Sequence, residues 1–176
     1  MPDVLTPPLG PDDHVDGPPD APLELVMYGD FQCPYCSAAQ PIVRRVRDRL
    51  GDRLRYAFRH LPLPGVHPDA ERAAQAAESA AAQGAFWPMH DALFAQRGQL
   101  GLEDVLRAAE AAGVDPERVR ADLDAGTYAA RVARDAASAK AGGVTGTPGF
   151  FANGQRVRGS FDAQSLLAAL TGDGAE

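Results

Sequence analysis

The chain has 176 residues, 45% of them hydrophobic, and a formal net charge of −7, so a single domain, alone or with an insertion, buries a sizeable core without covalent staples. Its 17 basic residues are scattered among 24 acids, with no basic stripe to track a phosphate backbone, which argues against nucleic acid as a partner. No apolar run approaches the ~20 residues of a membrane helix, and the N-terminus has neither the basic nor the apolar region of a secretory signal.

Residues 1–22 are rich in Pro and Asp and lack periodicity, so they read as an irregular arm. LELVMYGD, residues 23–30, is a short apolar run bounded by Pro22 and Gly29, the pattern of a strand buried on both faces. From Pro34 a helical pattern begins, with Ile42, Val43, Val46 and Leu50 on one face and most of the arginines off it. Pro41 falls inside that helix, where a missing N–H predicts a kink. LRYAFRHL, residues 54–61, alternates as a second strand, so the first third reads as a βαβ unit.

Residues 69–141 turn wholly helical. Ala70, Ala73, Ala74, Ala77 and Ala81 make a small-residue face, Phe86, Met89, His90, Leu93 and Phe94 repeat at amphipathic spacing, and Asp115 followed by Pro116 predicts a capped helix start. In TPGFFANGQRVRG the Asn153-Gly154 pair is a hairpin signal, and DAQSLLAALT, residues 162–171, closes the chain as a helix capped by Asp162. The organisation is therefore an arm (1–22), an α/β domain in two pieces (23–62 and 144–172) and an all-helical insertion (63–143).

The only two cysteines, Cys33 and Cys36, stand between the first strand and its helix. Paired cysteines at a βαβ turn read as a redox dithiol. Unpaired N–H groups and the helix dipole favour an anion at Cys33, so its thiol is expected to ionise below the ~8.5 of a free cysteine, with Cys36 a turn further in and less exposed. Cys33 attacks and Cys36 resolves. Two other readings stay open at this point: half of a zinc site, which His60, His67 or His90 would have to complete, and a pair of inert buried thiols. His90 is expected to pack in the core and His67, before Pro68 in a loop, to be solvated.

The runs YGDFQCPYC, FRHLPL, HPDAERAAQAAE, GAFWPMHDALF and GVTGTPGFFANGQRVRG, in that order over residues 14–171, resemble the DsbA-like branch of the thioredoxin superfamily, bacterial thiol:disulfide oxidoreductases with a helical insertion. The resemblance is strongest to a subgroup without signal peptides, some fused to sodium/proton antiporters, of which this sequence contains no antiporter segment. It implies an α/β thioredoxin-like fold with a central mixed sheet, and catalysis by Cys33 and Cys36. The dipeptide Pro34-Tyr35 would tune the redox poise. A cis peptide is implied at Thr147-Pro148, with Thr147, Pro148, Gly149 and Phe31 binding an extended substrate. Pro41 matches an architectural proline of the active-site helix.

Two departures matter. Met27 stands where relatives carry a buried acid serving the resolving thiol, with Glu24 and Asp30 turned to the opposite strand face, and Gly149 replaces a side chain beside the sulfurs. The implied partners are protein or low-molecular-weight thiols and disulfides together with an unknown redox recycling partner, with no nucleic acid, membrane segment, metal or cofactor beyond the Cys33–Cys36 disulfide. The expected location is cytoplasmic, or periplasmic or extracytoplasmic if a signal was trimmed. The expected function is thiol:disulfide exchange. The alternative is a redox-sensing interaction module without efficient turnover. A kappa-type glutathione enzyme fits less well, because such enzymes generally lack the resolving cysteine.

Overall fold

The computed structural model describes residues 3–173, so residues 1 and 2 of the arm lie outside the described range. The chain forms two compact units. The first comprises the chain up to Gly29, Ala38–Arg59 and the chain from Ala137 onward; the second comprises Asp30–Ser37 and His60–Ala136.

The first unit is built on a five-stranded sheet of β1 (His14–Asp16), β2 (Leu23–Gly29), β3 (Leu54–His60, its last residue assigned to the other unit), β4 (Gly149–Ala152) and β5 (Gln155–Val157), in the order β1-β3-β2-β4-β5. An unbroken apolar run leaves neither strand face for water, and β2 is buried over its last five residues. It pairs antiparallel with β4, Leu25 opposite Ala152. On its other side lies β3, reached through α1 (Pro34–Leu50), the long crossover that parallel strands need. Gly29 closes β2 because a Cβ there would stand 2.5 Å from the Phe58 ring. Pro41 lies within an α1 that remains continuous, and Ala39, Val43, Val46 and Leu50 form its buried face.

The arm is more ordered than its composition predicts. Three of its residues form β1, antiparallel to β3 with His14 opposite Phe58. Such a short strand carries no readable periodicity; it forms because the edge of β3 offers unpaired backbone groups. At the far edge Val4 bridges Gln155 and Leu5 is buried. Arg59 binds the arm from within the sheet, donating to both carboxylate oxygens of Asp13 at 2.8 and 2.9 Å and to the carbonyls of Pro7 and Pro8. It also donates to Tyr28 and Ser138, each at 3.0 Å. Burial alone would make this guanidinium easier to deprotonate, but the bonds to Asp13 and Tyr28 reverse the balance and hold it charged.

The Asn153-Gly154 turn joins β4 to β5 with both residues at positive φ, 50° and 79°, the geometry a two-residue primed turn requires. Next comes α7 (Ala163–Thr171), capped by Asp162, whose side chain accepts from the Ser165 N–H. It packs on β2 and β4, burying Leu166 and Leu170.

In the second unit the helical segment resolves into α2 (Ala70–Ala82), α3 (Phe86–Ala95), α4 (Leu102–Ala111), α5 (Pro116–Ala125) and α6 (Ala129–Ala141), the last continuing into the first unit. Ala73, Ala74, Ala76, Ala77 and Ala80 of α2 are buried, and α2 packs on α3, α4 and α5, the close approach that a face of methyl groups allows. Asp115 caps α5 with Pro116 in its first turn.

Candidate active site

The site begins with a turn. The Cys33 N–H donates to the Asp30 carbonyl at 3.1 Å, and the Gln32 N–H donates to the Asp30 carboxylate at 2.8 Å, a side-chain mimic of a turn typical of Asp. Cys33 then stands directly before Pro34, the first residue of α1, and its carbonyl accepts from the Ser37 N–H at 3.1 Å. Cys33 thus stands at the N-terminal end of α1, where the helix dipole favours negative charge. Pro34 occupies the one helical position where a missing N–H costs nothing.

Cys33 and Cys36 are not joined in a disulfide and stand one helical turn apart. Cys33 is 3% and Cys36 0% exposed, so the difference in access is small. Between them Pro34 and Tyr35 face solvent, Tyr35 being 67% exposed.

Phe31 sits inward. It is 1% exposed and packs on Phe94, His90 and His60, with ring centroids 4.9, 5.8 and 6.0 Å away. Its ring fills the core of the second unit.

The segment before Cys33 is also tied to the loop that follows β3. The Asp30 carboxylate accepts from the Leu63 N–H at 3.0 Å and is hydrogen-bonded to His67 Nδ1 at 2.8 Å. Gln32 accepts from the Asp69 N–H at 2.9 Å and donates to the Gly98 carbonyl at 3.3 Å. His67 is accordingly a partner of the cysteine turn, with its side chain 16% exposed, and the expectation of a solvated loop histidine is corrected. Proximity to Pro68 suggested a loop; it carried no sign of a buried carboxylate facing that loop. The other two histidines of the zinc alternative also meet carboxylates: His60 Nε2 lies 2.9 Å from Glu78 and His90 Nδ1 2.8 Å from Asp91. His90 packs among Phe31, Phe86, Trp87 and Phe94, as its place on the apolar helix face predicts. The His60 N–H also donates to Asp135 at 2.9 Å, and Arg131 joins Asp135. This buried network escapes sequence reasoning; its signal was an acid, Glu78, at the edge of an alanine face.

Thr147, Pro148 and Gly149 belong to the first unit, at the start of β4. The Thr147–Pro148 peptide is cis. Gly149 has a local reason to be glycine: a Cβ there would lie 2.6 Å from a Val144 methyl and 2.8 Å from Arg156 Nη1. Met27 is fully buried, its sulfur 3.5 Å from the Tyr56 hydroxyl and 3.9 Å from the Gln40 amide nitrogen, while Glu24 pairs with Arg55 at 2.6 Å.

A mixed sheet with a Cys-x-x-Cys opening the helix after its central strand defines the thioredoxin-like class of α/β proteins. The family model described as thioredoxin matches residues 10–171. The chain belongs to that family. A thioredoxin-like oxidoreductase from Silicibacter pomeroyi DSS-3 superposes with a TM-score of 0.83 at 30% identity, covering 93% of both chains. Oxidised BdbD from Bacillus subtilis shares the fold, with a TM-score of 0.81 at 22% identity over 90% of this chain and 91% of that one. Among curated proteins, the Na(+)/H(+) antiporter NhaA 1 of Salinispora arenicola is 48% identical over 165 residues, 93% of this chain but 25% of the antiporter. The Na(+)/H(+) antiporter NhaA of Herminiimonas arsenicoxydans is 47% identical over 171 residues, 97% of this chain and 27% of that protein. The chain thus spans about a quarter of the curated relatives it matches, and among its described residues no helix is long and apolar enough to cross a membrane. Family and fold together make it a thioredoxin-like α/β protein.

Proposed function

We propose that the chain exchanges disulfides with protein or low-molecular-weight thiol substrates through the Cys33-Pro34-Tyr35-Cys36 dithiol. The observation that carries this reading is the position of Cys33 at the opening of α1, with Cys36 one turn further along the same helix. The Cys33 thiolate attacks one sulfur of a substrate disulfide, forming a mixed disulfide and releasing the first substrate thiolate, which takes a proton from solvent. Cys36 then loses its proton and attacks the Cys33 sulfur, forming the Cys33–Cys36 disulfide and releasing the second substrate thiolate. Two electrons pass from the protein dithiol to the substrate disulfide, and the reverse sequence oxidises a substrate dithiol. The reaction needs no other cofactor, because the electron pair resides in the sulfurs themselves; a thiol or disulfide recycling partner restores the starting state. An extended substrate would pair with the Thr147 backbone beside Pro148 and Gly149, an arrangement that selects backbone more than side chain.

Met27 favours a second reading. A thioether in place of the acid that relatives use for the resolving thiol would slow resolution by Cys36, and slow resolution suits a redox sensor that holds a partner in one state. The two are separated by turnover of insulin disulfides or of a glutathione mixed disulfide. The catalytic reading predicts multiple turnovers, lost in Cys33→Ser; redox-dependent partner capture with no turnover in any thiol buffer would favour the sensor.

A further inference from the structure

We propose that Asp30, balanced by His67, sets how oxidising the Cys33–Cys36 couple is, acting as a fixed charge one turn away from the attacking sulfur. The inference rests on the dithiol reading above and deepens it. Asp30 and Cys33 are the first and last residues of a single hydrogen-bonded turn, which places their Cα atoms within about 7 Å. The Asp30 side chain is fully buried, so its field is screened by protein rather than by water. Its oxygens accept from the backbone of Gln32 and Leu63 and meet His67 Nδ1. This is a costly arrangement to place beside a sulfur that works as an anion, since the helix N-terminus draws negative charge to Cys33 and Asp30 repels it.

His67 is the group that moderates the repulsion. A protonated imidazole at 2.8 Å makes the pair neutral, whereas an uncharged one leaves a full negative charge. Other charged groups around the turn are engaged with one another: Asp69 with Arg72 at 2.5 Å, His60 with Glu78 at 2.9 Å and His90 with Asp91 at 2.8 Å. His67 lies on the loop that Gln32 also fastens, through Asp69, so the distance between this cation and the turn is fixed by two independent anchors.

The sign of the effect separates a charge from a mere anchor. Asp30→Asn keeps an acceptor and the shape of the side chain but removes the charge. A more stable Cys33 thiolate stabilises the reduced protein, so the equilibrium with glutathione should shift toward reduced protein by roughly three- to tenfold, the effect of one unit charge acting through a medium between protein and water. His67→Gln removes the side chain that can carry the opposing charge at 2.8 Å and should shift it the opposite way. Gln32→Ala loosens the same loop without changing charge and serves as the comparison.

The experiment is a glutathione redox titration of the full chain and these three variants, with the pH profile of Cys33 alkylation followed by peptide mass. Opposite shifts for Asp30→Asn and His67→Gln support the proposal. A shift of the same sign and size in Asp30→Asn and Gln32→Ala would overturn it, since Asp30 would then act only by holding the loop. Should Asp30→Asn fail to fold, the His67→Gln shift decides alone, and its absence counts against the proposal. A chain that alkylates at Cys33 yet forms no Cys33–Cys36 disulfide would sink the dithiol reading instead, and the alkylation profiles would still report on Asp30.

Discussion

Cys33 and Cys36 share one helical turn but not one environment. Cys33 stands directly before the first residue of α1, at the positive end of the helix dipole, whereas Cys36 lies one turn further along and is fully buried. Reduced protein should therefore alkylate at Cys33 well below pH 8, with Cys36 resisting; equal and slow labelling of both, read by peptide mass across pH, would contradict this. At Gly149 the constraint is volume. Gly149→Ala drives a methyl toward Val144 at 2.6 Å, an overpacking expected to cost about 1–3 kcal/mol, measurable as a lower urea midpoint at unchanged slope. A wild-type midpoint would mean that Val144 and Arg156 yield freely. At this scale the sequence revealed the residues whose chemistry is written in type and spacing, the two cysteines and their dipeptide. It concealed Asp30, Gln32 and His67, because their roles arise only when the loop at Leu63–Asp69 is brought against the turn. The burial of the Phe31 ring among Phe94, His90 and His60 was equally hidden, since it depends on helices far along the chain.

Among the elements, those with their own punctuation were legible. Asp115-Pro116, Asn153-Gly154 and Asp162 each mark a boundary by a local bond or dihedral, and each boundary is found where the mark stands. The β1 strand was not legible, since it owes its existence to the open edge of β3. The Asp162 cap has a testable consequence. Bonds from Ser160 and from the Ser165 backbone hold its carboxyl below the ordinary range. A carboxyl depressed by folding contributes stability above its unfolded pKa and loses it as pH falls through the folded value. Asp162→Asn should thus lower the thermal midpoint at neutral pH, with the gap to wild type closing in strong acid. A gap independent of pH would show that the charge of the cap contributes nothing.

For the molecule as a whole, the sheet of the first unit is finished by a segment whose composition suggests no structure. Arg59 is the reason, a buried cation that gathers Asp13, two proline carbonyls, Tyr28 and Ser138. Arg59→Leu would remove the buried cation that pairs with Asp13, and breaking such a pair costs about 3–5 kcal/mol. Chemical denaturation checks this, and a loss under 1 kcal/mol, the size of an exposed pair, would show the arm to be held by its backbone bridges instead. The fold class was readable in outline because βαβ, helical and ββα patterns follow one another in clear blocks. How the chain divides into units was less so, since Asp30–Ser37 groups with the helices, far along the chain.

The claim on which all of this turns is that Cys33 makes the first bond to substrate and Cys36 breaks it. Cys36→Ser, mixed with glutathione disulfide at neutral pH and analysed by intact mass and peptide mapping, should accumulate a glutathione adduct on Cys33. In Cys33→Ser the remaining thiol should stay unmodified over the same time. Adducts forming equally fast on Cys36, or on neither residue, would contradict the account.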